Sequence, residues 1–166
     1  MSNEMCNQVA LVWEGEEGST RTLTYGELTK QVNQVANALR ELGLCKGDVI
    51  ALYMPMTAEI VMALLAIAKI GAIALPLFSG FGAGAIATRL VDADAKALFT
   101  ADGTFRRGKP IPMKSIADEA AAQVPTLRHI IVLNRVDPSG QHPSLSEFGA
   151  RMSPARDHWW HELVPL

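Results

Sequence analysis

The feature that most constrains the fold is a series of short apolar runs separated by helical patterns. The first run, residues 48–54, shows no alternation of polar and apolar side chains. A strand of this kind is normally buried on both faces, as in a parallel sheet covered by helices. Similar runs at 72–77, 97–100 and 129–133 recur at the spacing of strand–helix–strand units. The sequence therefore predicts an α/β fold, a mainly parallel sheet with flanking helices.

The best-defined helix is predicted to begin after Thr24. Thr24 and Glu27 have the spacing of a capping box, in which each side chain bonds the backbone N–H of the other. Apolar residues recur at helical spacing as far as Leu39, and Gly43 suits the left-handed position that ends many helices. Further predicted elements are a hairpin of strands 9–13 and 21–24, helices at 58–70 (capped by Thr57), 85–93 and 116–124, and weaker helical patterns at 145–150 and 156–163.

Composition favours a folded, cytoplasmic protein. Hydrophobic residues make up 49% of the chain and charged residues 19%, which excludes a disordered tail. A net charge of −2 gives no broad cationic face, so we expect no nucleic-acid partner. Glu59, Lys69 and two prolines interrupt the apolar region 49–88, so no run reaches the ~20 residues of a transmembrane helix. The N-terminal residues have no basic region before an apolar stretch, so we expect no secretory signal. Cys6 and Cys45 lack disulfide-framework or metal-ligand spacing.

The regular pattern weakens after Asn134. Residues 137–143 are rich in turn-forming types, and only weak helical patterns follow. We therefore predict an α/β subdomain at 1–134 and a connecting segment at 135–166.

A glycine-rich connection after the strand at 72–77 could contact an anionic ligand. Phe78, Ser79 and Gly80 open this connection, which leads into a helix whose first N–H groups can face anionic oxygens. Its GxGxG spacing differs from the GxGxxG of dinucleotide-binding loops. A plain flexible connection is the commoner meaning of such a segment.

A basic segment after the strand at 97–100 is the second candidate. Arg106, Arg107 and Lys109, with Gly108 between them, put three cations within four residues. Arginine binds phosphate as a two-pronged fork and lysine as a point charge. In an open α/β sheet, ligands gather beyond the carboxyl ends of the strands. The competing interpretation is a solvated basic turn, because short runs of charged residues usually lie on the solvated surface.

No complete catalytic motif is present: the sequence contains no GxxxxGK[ST], HExxH, GxSxG or CxxC. His158 and His161 could share a helical face, but a metal site would need a third ligand. The tryptophans between them, Trp159 and Trp160, are predicted to anchor this segment on a larger body. Three methionines are predicted to fill the core: Met54, Met56 and Met62.

Taken together and in order, segments between about residues 9 and 160 resemble the N-terminal part of the adenylate-forming acyl-CoA synthetases, in the AMP-binding enzyme family. The likeness is close to the acetyl-CoA synthetase branch. The matching strings are LTYGEL (23–28), ANAL (36–39), GDVIALYMP (47–55), AIAKIGA (66–72), FSGF (78–81), TADG (100–103), RRGK (106–109), IPMK (111–114) and RDHWW (156–160).

The resemblance implies the N-terminal subdomain portion of an acetyl-CoA synthetase-like fold, and an acid–thiol ligase as the full-length activity. In that reaction a carboxylate attacks the α-phosphate of Mg-bound ATP to give an acyl-adenylate and pyrophosphate, and the thiol of coenzyme A then displaces AMP. A short-chain acid such as acetate or propionate is the implied substrate. The family's ATP loop, adenine-binding segment, ribose aspartate and lid lysine have no match here and are expected downstream of Leu166. We therefore expect no catalytic residue in this chain and no adenylation by it alone.

The resemblance also implies where coenzyme A (CoA) is bound. Residues 106–109 match a stretch that lies along the CoA nucleotide, with Arg106 and Lys109 near its phosphates. Lys109 occupies a position where the family more often has arginine. The segment FSGF (78–81) matches a stretch that also lies near CoA, and Ser79 replaces a glycine of that stretch. The implied CoA-binding residues are Phe78, Ser79, Gly80, Arg106, Arg107, Gly108 and Lys109.

Two alternatives stay open. One is a non-catalytic truncated module that binds a nucleotide or a partner. The other is an adenylation domain that loads a carrier protein. The cations at 106–109 argue against the second, because a carrier thiol arrives without the adenosine 3′-phosphate.

Overall fold

A computed structural model of the chain describes residues 3–16, 18–106, 109–136 and 151–164. The elements in chain order are α1 (Asn3–Cys6), β1 (Val9–Glu14), β2 (Thr20–Thr24), α2 (Tyr25–Glu41), β3 (Val49–Leu52), α3 (Ala58–Lys69), β4 (Ile73–Pro76), α4 (Ala83–Asp92), β5 (Ala97–Ala101), β6 (Thr104–Arg106), β7 (Lys109–Ile111), α5 (Met113–Ala121), β8 (His129–Leu133), β9 (Asp157–Trp159) and α6 (Trp160–Leu163).

Five of these strands form one sheet in the order β4-β3-β5-β8-β9, and every neighbouring pair is parallel. The predicted α/β class with a mainly parallel sheet is confirmed. From β3 the chain moves outward to β4, returns past β3 to β5, and continues in that direction through β8 and β9. The direction of winding therefore reverses between β3 and β5. In open α/β sheets the connections that leave two such strands diverge and open a crevice at their carboxyl ends.

The sheet is buried because its strands are apolar on both faces. Ile50 and Ala51 of β3 expose no surface, and all five residues of β5 are buried. The crossovers β3–α3–β4 and β4–α4–β5 run in opposite directions, and such crossovers are right-handed, so α3 and α4 cover opposite faces. In agreement, α2 packs with α3 and α4 packs with α5. The core thus lies on both sides of β3, β5 and β8.

The local predictions at the start of the chain are confirmed. Strands β1 and β2 form an antiparallel hairpin. The Thr24 N–H donates to Glu27 Oε2 at 2.8 Å, and the Glu27 N–H donates to Thr24 Oγ1 at 3.3 Å, which completes the capping box. Gly43 follows α2 with a φ of +80°. Thr57 precedes α3 as predicted, but its hydroxyl makes no capping hydrogen bond and is buried without a partner among the described residues.

Residues 156–163 are not the continuous helix that their pattern predicts. The segment pairs with β8 as strand β9, Ile130 opposite Asp157 and Val132 opposite Trp159, and only then turns into α6. His158 and His161 therefore do not share a helical face. Trp160 is buried with its ring centroid 5.8 Å from that of Phe99.

The boundary proposed after Asn134 stays a prediction. Within the segment 135–166, the described residues 157–159 add the outer strand of the same sheet. The predicted turns at 137–143 and the predicted helix at 145–150 lie outside the described residues.

A buried cluster of charges fastens this outer strand to the rest of the domain. Lys114 on α5 exposes no surface, and its ammonium contacts Asp118 Oδ1 at 2.6 Å and Asp157 Oδ2 at 2.9 Å. Arg156 contacts Asp118 and Asp157 as well, each at 2.7 Å. Lys114 and Asp157 are fully buried and neutralise each other, as buried charges require, while Arg156 and Asp118 join them from the partly exposed edge of the cluster.

Two further observations bear on what the domain can do. Within the described ranges, no helix has both the length and the apolar character needed to cross a membrane. Nor do the described residues gather three or more His, Cys, Asp or Glu side chains into a potential metal site.

Candidate functional site

A cleft of about 280 Å³ opens beyond the carboxyl ends of the parallel strands. Each strand end supplies part of its wall: Pro55 and Met56 follow β3, Phe78 and Ser79 follow β4, and Thr104 opens the hairpin after β5. This is the crevice that the reversal of winding between β3 and β5 predicts. The remaining lining residues are Trp13, Glu14, Gly15, Glu16, Phe105, Arg106, Ile111 and Arg135.

The predicted core role of the three methionines holds for only two of them. Met54 and Met62 are buried, but Met56 is 80% exposed and lines the cleft. Met56 lies beyond the end of β3, where the chain leaves the sheet, so no second layer covers its side chain.

The predicted glycine-rich segment begins as a tight turn at residues 78–81, which we call the glycine turn. The Phe81 N–H donates to the Phe78 carbonyl at 3.0 Å. None of its residues has the left-handed φ that demands glycine, because Asp94 is the only described non-glycine residue with positive φ and Gly80 is not among the positive-φ glycines. A serine therefore fits at Ser79 without backbone strain.

Glycine is needed at position 80 for proximity instead. A Cβ built on Gly80 would lie 2.5 Å from Phe78 Cε1 and 3.1 Å from Arg106 Nη1. Real Cβ atoms are essentially never found as close to another heavy atom as 2.5 Å, so any side chain there displaces the Phe78 ring. The turn and the basic segment are therefore in contact at this point.

The predicted basic turn is a β-hairpin of two three-residue strands, β6 and β7. Arg106 is opposite Lys109 in the antiparallel register, and both are exposed. Residues directly opposite in such a pair project from the same face, with Cβ atoms ~5 Å apart. Two cations so placed repel one another, which an anionic ligand between them would relieve. The predicted site residues Arg107 and Gly108 lie outside the described residues.

The glycine turn and the basic hairpin meet where the Arg106 guanidinium lies over the Phe78 ring. Phe78 and Phe81 pack edge to face with centroids 5.6 Å apart. The guanidinium of Arg106 lies 5.7 Å from the Phe78 centroid, and that of Arg89 lies 4.4 Å from the Phe81 centroid. Both distances are within the range of cation–π attraction. Phe78, Ser79 and Arg106 line the cleft, and Gly80 and Lys109 adjoin these residues.

Asp102 fixes the base of the hairpin. Its Oδ1 accepts hydrogen bonds from the N–H groups of Gly103 (2.6 Å) and Arg135 (2.9 Å), and Val136 also donates to the carboxylate. Gly103 allows this approach, since a Cβ there would lie 2.9 Å from the Val136 side chain and 3.0 Å from the Ile111 carbonyl oxygen. The connections that follow β5 and β8 are thus tied together beside the cleft.

The opposite wall of the cleft was not predicted from the sequence. Trp13 Nε1 donates to the Met56 carbonyl at 2.7 Å, and the Arg135 guanidinium lies 5.2 Å from the Trp13 ring centroid. Trp13 belongs to the N-terminal hairpin and Arg135 follows β8. No local pattern links two residues so far apart in sequence, because only the packing of the hairpin against the sheet brings them together.

Tyr53 lies beneath the glycine turn and was also missed. It follows β3 directly, exposes no surface, and places its hydroxyl 3.3 Å from the Ser79 carbonyl and 3.2 Å from the Phe81 carbonyl. Burial raises the pKa of the Tyr53 phenol, which keeps it protonated and able to donate. A tyrosine within an apolar run is predicted to be a core residue, and nothing in the sequence indicates which group its hydroxyl bonds.

Comparisons with known proteins agree with this fold. The family described as "AMP-binding enzyme" matches residues 2–163. An acetyl-coenzyme A synthetase of Mycobacterium tuberculosis is 47% identical over 161 residues, and one of Streptomyces coelicolor is 45% identical over 158 residues. Each alignment covers 95% of this chain and 23% of the relative, so the chain spans about 23% of the length of these relatives.

A solved structure gives the same result in three dimensions. The acetoacetyl-CoA synthetase from Streptomyces lividans superposes with a TM-score of 0.79 at 28% sequence identity, over 95% of this chain and 22% of that one. The parallel sheet described above is therefore an architecture that such synthetases contain. On the family match over nearly its whole length, this chain belongs to the AMP-binding enzyme family.

Proposed function

We propose that this chain is the N-terminal part of an ATP-dependent acid–CoA ligase, and that its cleft and basic hairpin bind the nucleotide portion of CoA. The complete reaction converts a carboxylate, ATP and CoA into acyl-CoA, AMP and pyrophosphate. The names of the similar proteins support an acid–CoA ligase, with a short-chain acid such as acetate or propionate as substrate. The composition supports a cytoplasmic location, and we keep the division into a subdomain at 1–134 and a connecting segment at 135–166.

The observation that carries the CoA assignment is the pairing of Arg106 with Lys109 beside Gly80. The hairpin register places both cations on one face, and the lack of a side chain on Gly80 lets Arg106 approach the exposed backbone of the turn. CoA carries a 3′-phosphate and a diphosphate on its adenosine. Arginine can grip a phosphate with two parallel hydrogen bonds, while lysine adds a mobile point charge. The aromatic walls of the cleft, Trp13 and Phe78, offer apolar surface beside these charges.

The adenylation chemistry is assigned to no residue described here. Mg²⁺ would accompany ATP in the complete enzyme, yet no described part of this chain gathers three or more of the usual side-chain ligands. The role of this chain in the proposal is to bind and orient one substrate. The attack on ATP belongs to the longer protein.

Calorimetric titration of the chain with CoA and with dephospho-CoA tests the proposal. Dephospho-CoA lacks only the 3′-phosphate, so the ratio of the two dissociation constants measures recognition of that group. We expect CoA to bind more tightly, and Arg106→Ala to reduce the preference by about tenfold or more, since hydrogen bonds between charged groups are worth about 1.5–3 kcal/mol. Arg40→Ala, which removes an exposed arginine from the last turn of α2, is the matched control. Equal, weak binding of both ligands would contradict the proposal and favour the carrier-protein or non-catalytic alternatives.

A further inference from the structure

We propose that Tyr53 is a positioning residue that fixes the direction of the peptide groups in the glycine turn and so presents backbone N–H groups to an anionic ligand. The identity of that ligand rests on the proposed CoA function. The orientation of the turn is inferred from the contacts of Tyr53 alone.

Tyr53 is itself held firmly. Its N–H donates to the Phe99 carbonyl at 2.9 Å, which continues the pairing of β3 with β5 by one residue. The Leu77 N–H donates to the Leu52 carbonyl at 2.9 Å, which does the same for β3 and β4. The Tyr53 backbone is therefore anchored at the carboxyl end of β3, which lies between β4 and β5. A fully buried ring at this place offers its hydroxyl to the turn after β4 as a fixed point.

The hydroxyl contacts determine which way the turn faces. The Ser79 and Phe81 carbonyls both point toward the Tyr53 oxygen, at 3.3 and 3.2 Å. In a planar trans peptide the N–H points opposite to the carbonyl. Because the Ser79 carbonyl faces inward, the N–H of Gly80 faces outward, and the inward Phe81 carbonyl likewise turns the Gly82 N–H outward. No described residue accepts a hydrogen bond from the Gly80 N–H.

The outward N–H groups lie beside the cation. Gly80 is exposed, and its ideal Cβ position is 3.1 Å from Arg106 Nη1. A phosphate oxygen held by Arg106 would therefore be near a backbone donor that has no competing acceptor among the described residues. Backbone N–H groups in turns and at helix starts bind anions in this way.

The side chains of the turn fix only its flanks. Phe78 and Phe81 pack edge to face, and Arg89 of α4 covers the Phe81 ring. These contacts locate the two rings but do not hold the peptide planes between them. The Phe81 N–H bond to the Phe78 carbonyl closes the turn, and the Tyr53 hydroxyl draws the Ser79 and Phe81 carbonyls inward. Among the described residues only this hydroxyl bonds the Ser79 carbonyl, so its removal should change the orientation of that peptide while leaving the fold intact.

Tyr53→Phe is the test, because phenylalanine fills the same space and removes only the hydroxyl. The matched control is Tyr25→Phe, since the chain has two tyrosines and Tyr25 is 41% exposed. We expect the Tyr53→Phe chain to shift the amide NMR signals of Gly80 and Gly82, to speed their hydrogen exchange, and to weaken CoA binding by up to about tenfold. Tyr25→Phe should leave all three unchanged.

The outcomes separate the inference from the proposed function. Unchanged Gly80 and Gly82 signals in Tyr53→Phe would overturn the inference whatever CoA does. Shifted signals with unaltered CoA affinity would overturn its ligand part. If Tyr53→Phe shifts these signals but the wild type binds no CoA, the positioning role is supported and only the proposed CoA function is refuted.

A measurement on the wild type covers the case in which the variant does not fold. In equal parts of H₂O and D₂O, a slowly exchanging hydroxyl splits the ¹³Cζ signal of a labelled tyrosine into two lines. We expect two lines for Tyr53, whose hydroxyl is bonded and buried, and one averaged line for Tyr25. A single averaged line for Tyr53 would overturn the inference.

Discussion

The Nζ atom of Lys114 lies 2.9 Å from Oδ2 of Asp157, and neither side chain exposes any surface. Lys114 comes from α5 and Asp157 from β9, and residues 134–156 separate β9 from β8 in the sequence. Arg156 and Asp118 complete the cluster. Buried charges are stable only when paired, so this contact fixes where the outer strand docks.

Lys114→Met should destabilise the domain severely. Methionine replaces most of the volume but leaves Asp157 and Asp118 without the buried ammonium. Breaking a buried pair by removing one partner typically costs about 3–5 kcal/mol. Urea unfolding followed by circular dichroism measures the loss. Lys96→Met, which removes a pair with the exposed Asp94, should change stability little. Similar small effects in both variants would show that the buried cluster contributes no special stability.

The same cluster predicts a loss of stability in acid. Burial alone would raise the pKa of Asp157, but hydrogen bonds from Arg156, Lys114 and the Ser153 N–H outweigh it and hold the pKa below the ordinary 3.8. Because the unfolded chain then binds the proton more tightly, this contribution is full above pH 3.8 and is lost as the pH falls through the folded pKa. Asp157→Asn should lower stability at neutral pH and flatten the acid dependence of the unfolding free energy. A wild-type slope in that variant would assign the acid loss to other groups.

The His129 and His158 rings should give a second pH dependence nearer neutrality. Nδ1 of His129 lies 3.1 Å from Nε2 of His158. Burial, with repulsion from His158 and Arg128, lowers the pKa of His129 below 6.5 despite its hydrogen bond with the Leu42 carbonyl. The unfolded chain therefore takes up the proton first, and stability falls as the pH drops from 6.5 through the folded pKa.

His129→Gln should remove that part of the pH dependence, measured as the unfolding free energy at pH values on either side of 6.5. His161→Gln, at an exposed residue, is the control and should retain the wild-type profile. If both variants keep that profile, the histidine pair is not its source.

Gly80→Ala should impair the cleft without unfolding the domain. The new methyl group would meet Phe78 Cε1 at 2.5 Å, so the exposed Phe78 ring must swing away and Arg106 loses that contact. We expect weaker CoA binding and changed Phe78 NMR signals, with little change in melting temperature. Gly84→Ala is the matched control: nothing lies within 4 Å of its Cβ position, and its place in α4 favours alanine by up to about 1 kcal/mol. Unchanged CoA affinity in Gly80→Ala would contradict this account of the turn.

Elements governed by neighbouring residues could be predicted from the sequence. The capping box of Thr24 and Glu27 is a three-residue relationship, and the structure forms it as expected. The unalternating run 48–54 predicted a strand buried on both faces, and β3 is that strand. In each case the determining interactions span a few residues or follow a simple period.

Elements whose structure depends on residues distant in the sequence could not be predicted. Strands β6 and β7 have three residues each, too few for a period, and the bond from Arg135 to Asp102 ties their base to the connection after β8. Residues 156–163 carry a helical pattern, yet β8 and the buried Lys114 hold Asp157 in a strand. Thr57 precedes α3 as a cap should, but its hydroxyl is turned into the interior.

Local sequence patterns were enough to predict the order of the longer strands and helices, the α/β class, and the resemblance to the AMP-binding enzymes that the comparisons confirm. Periodicity and short-range capping suffice for that, because they depend on residues adjacent along the chain. That Phe78, Arg106 and Trp13 border one cleft, and that Tyr53 supports the turn beside it, became visible only in the folded chain. These contacts depend on the strand order β4-β3-β5-β8-β9, which brings the carboxyl ends of non-consecutive strands side by side. That order is set by the burial of the whole sheet.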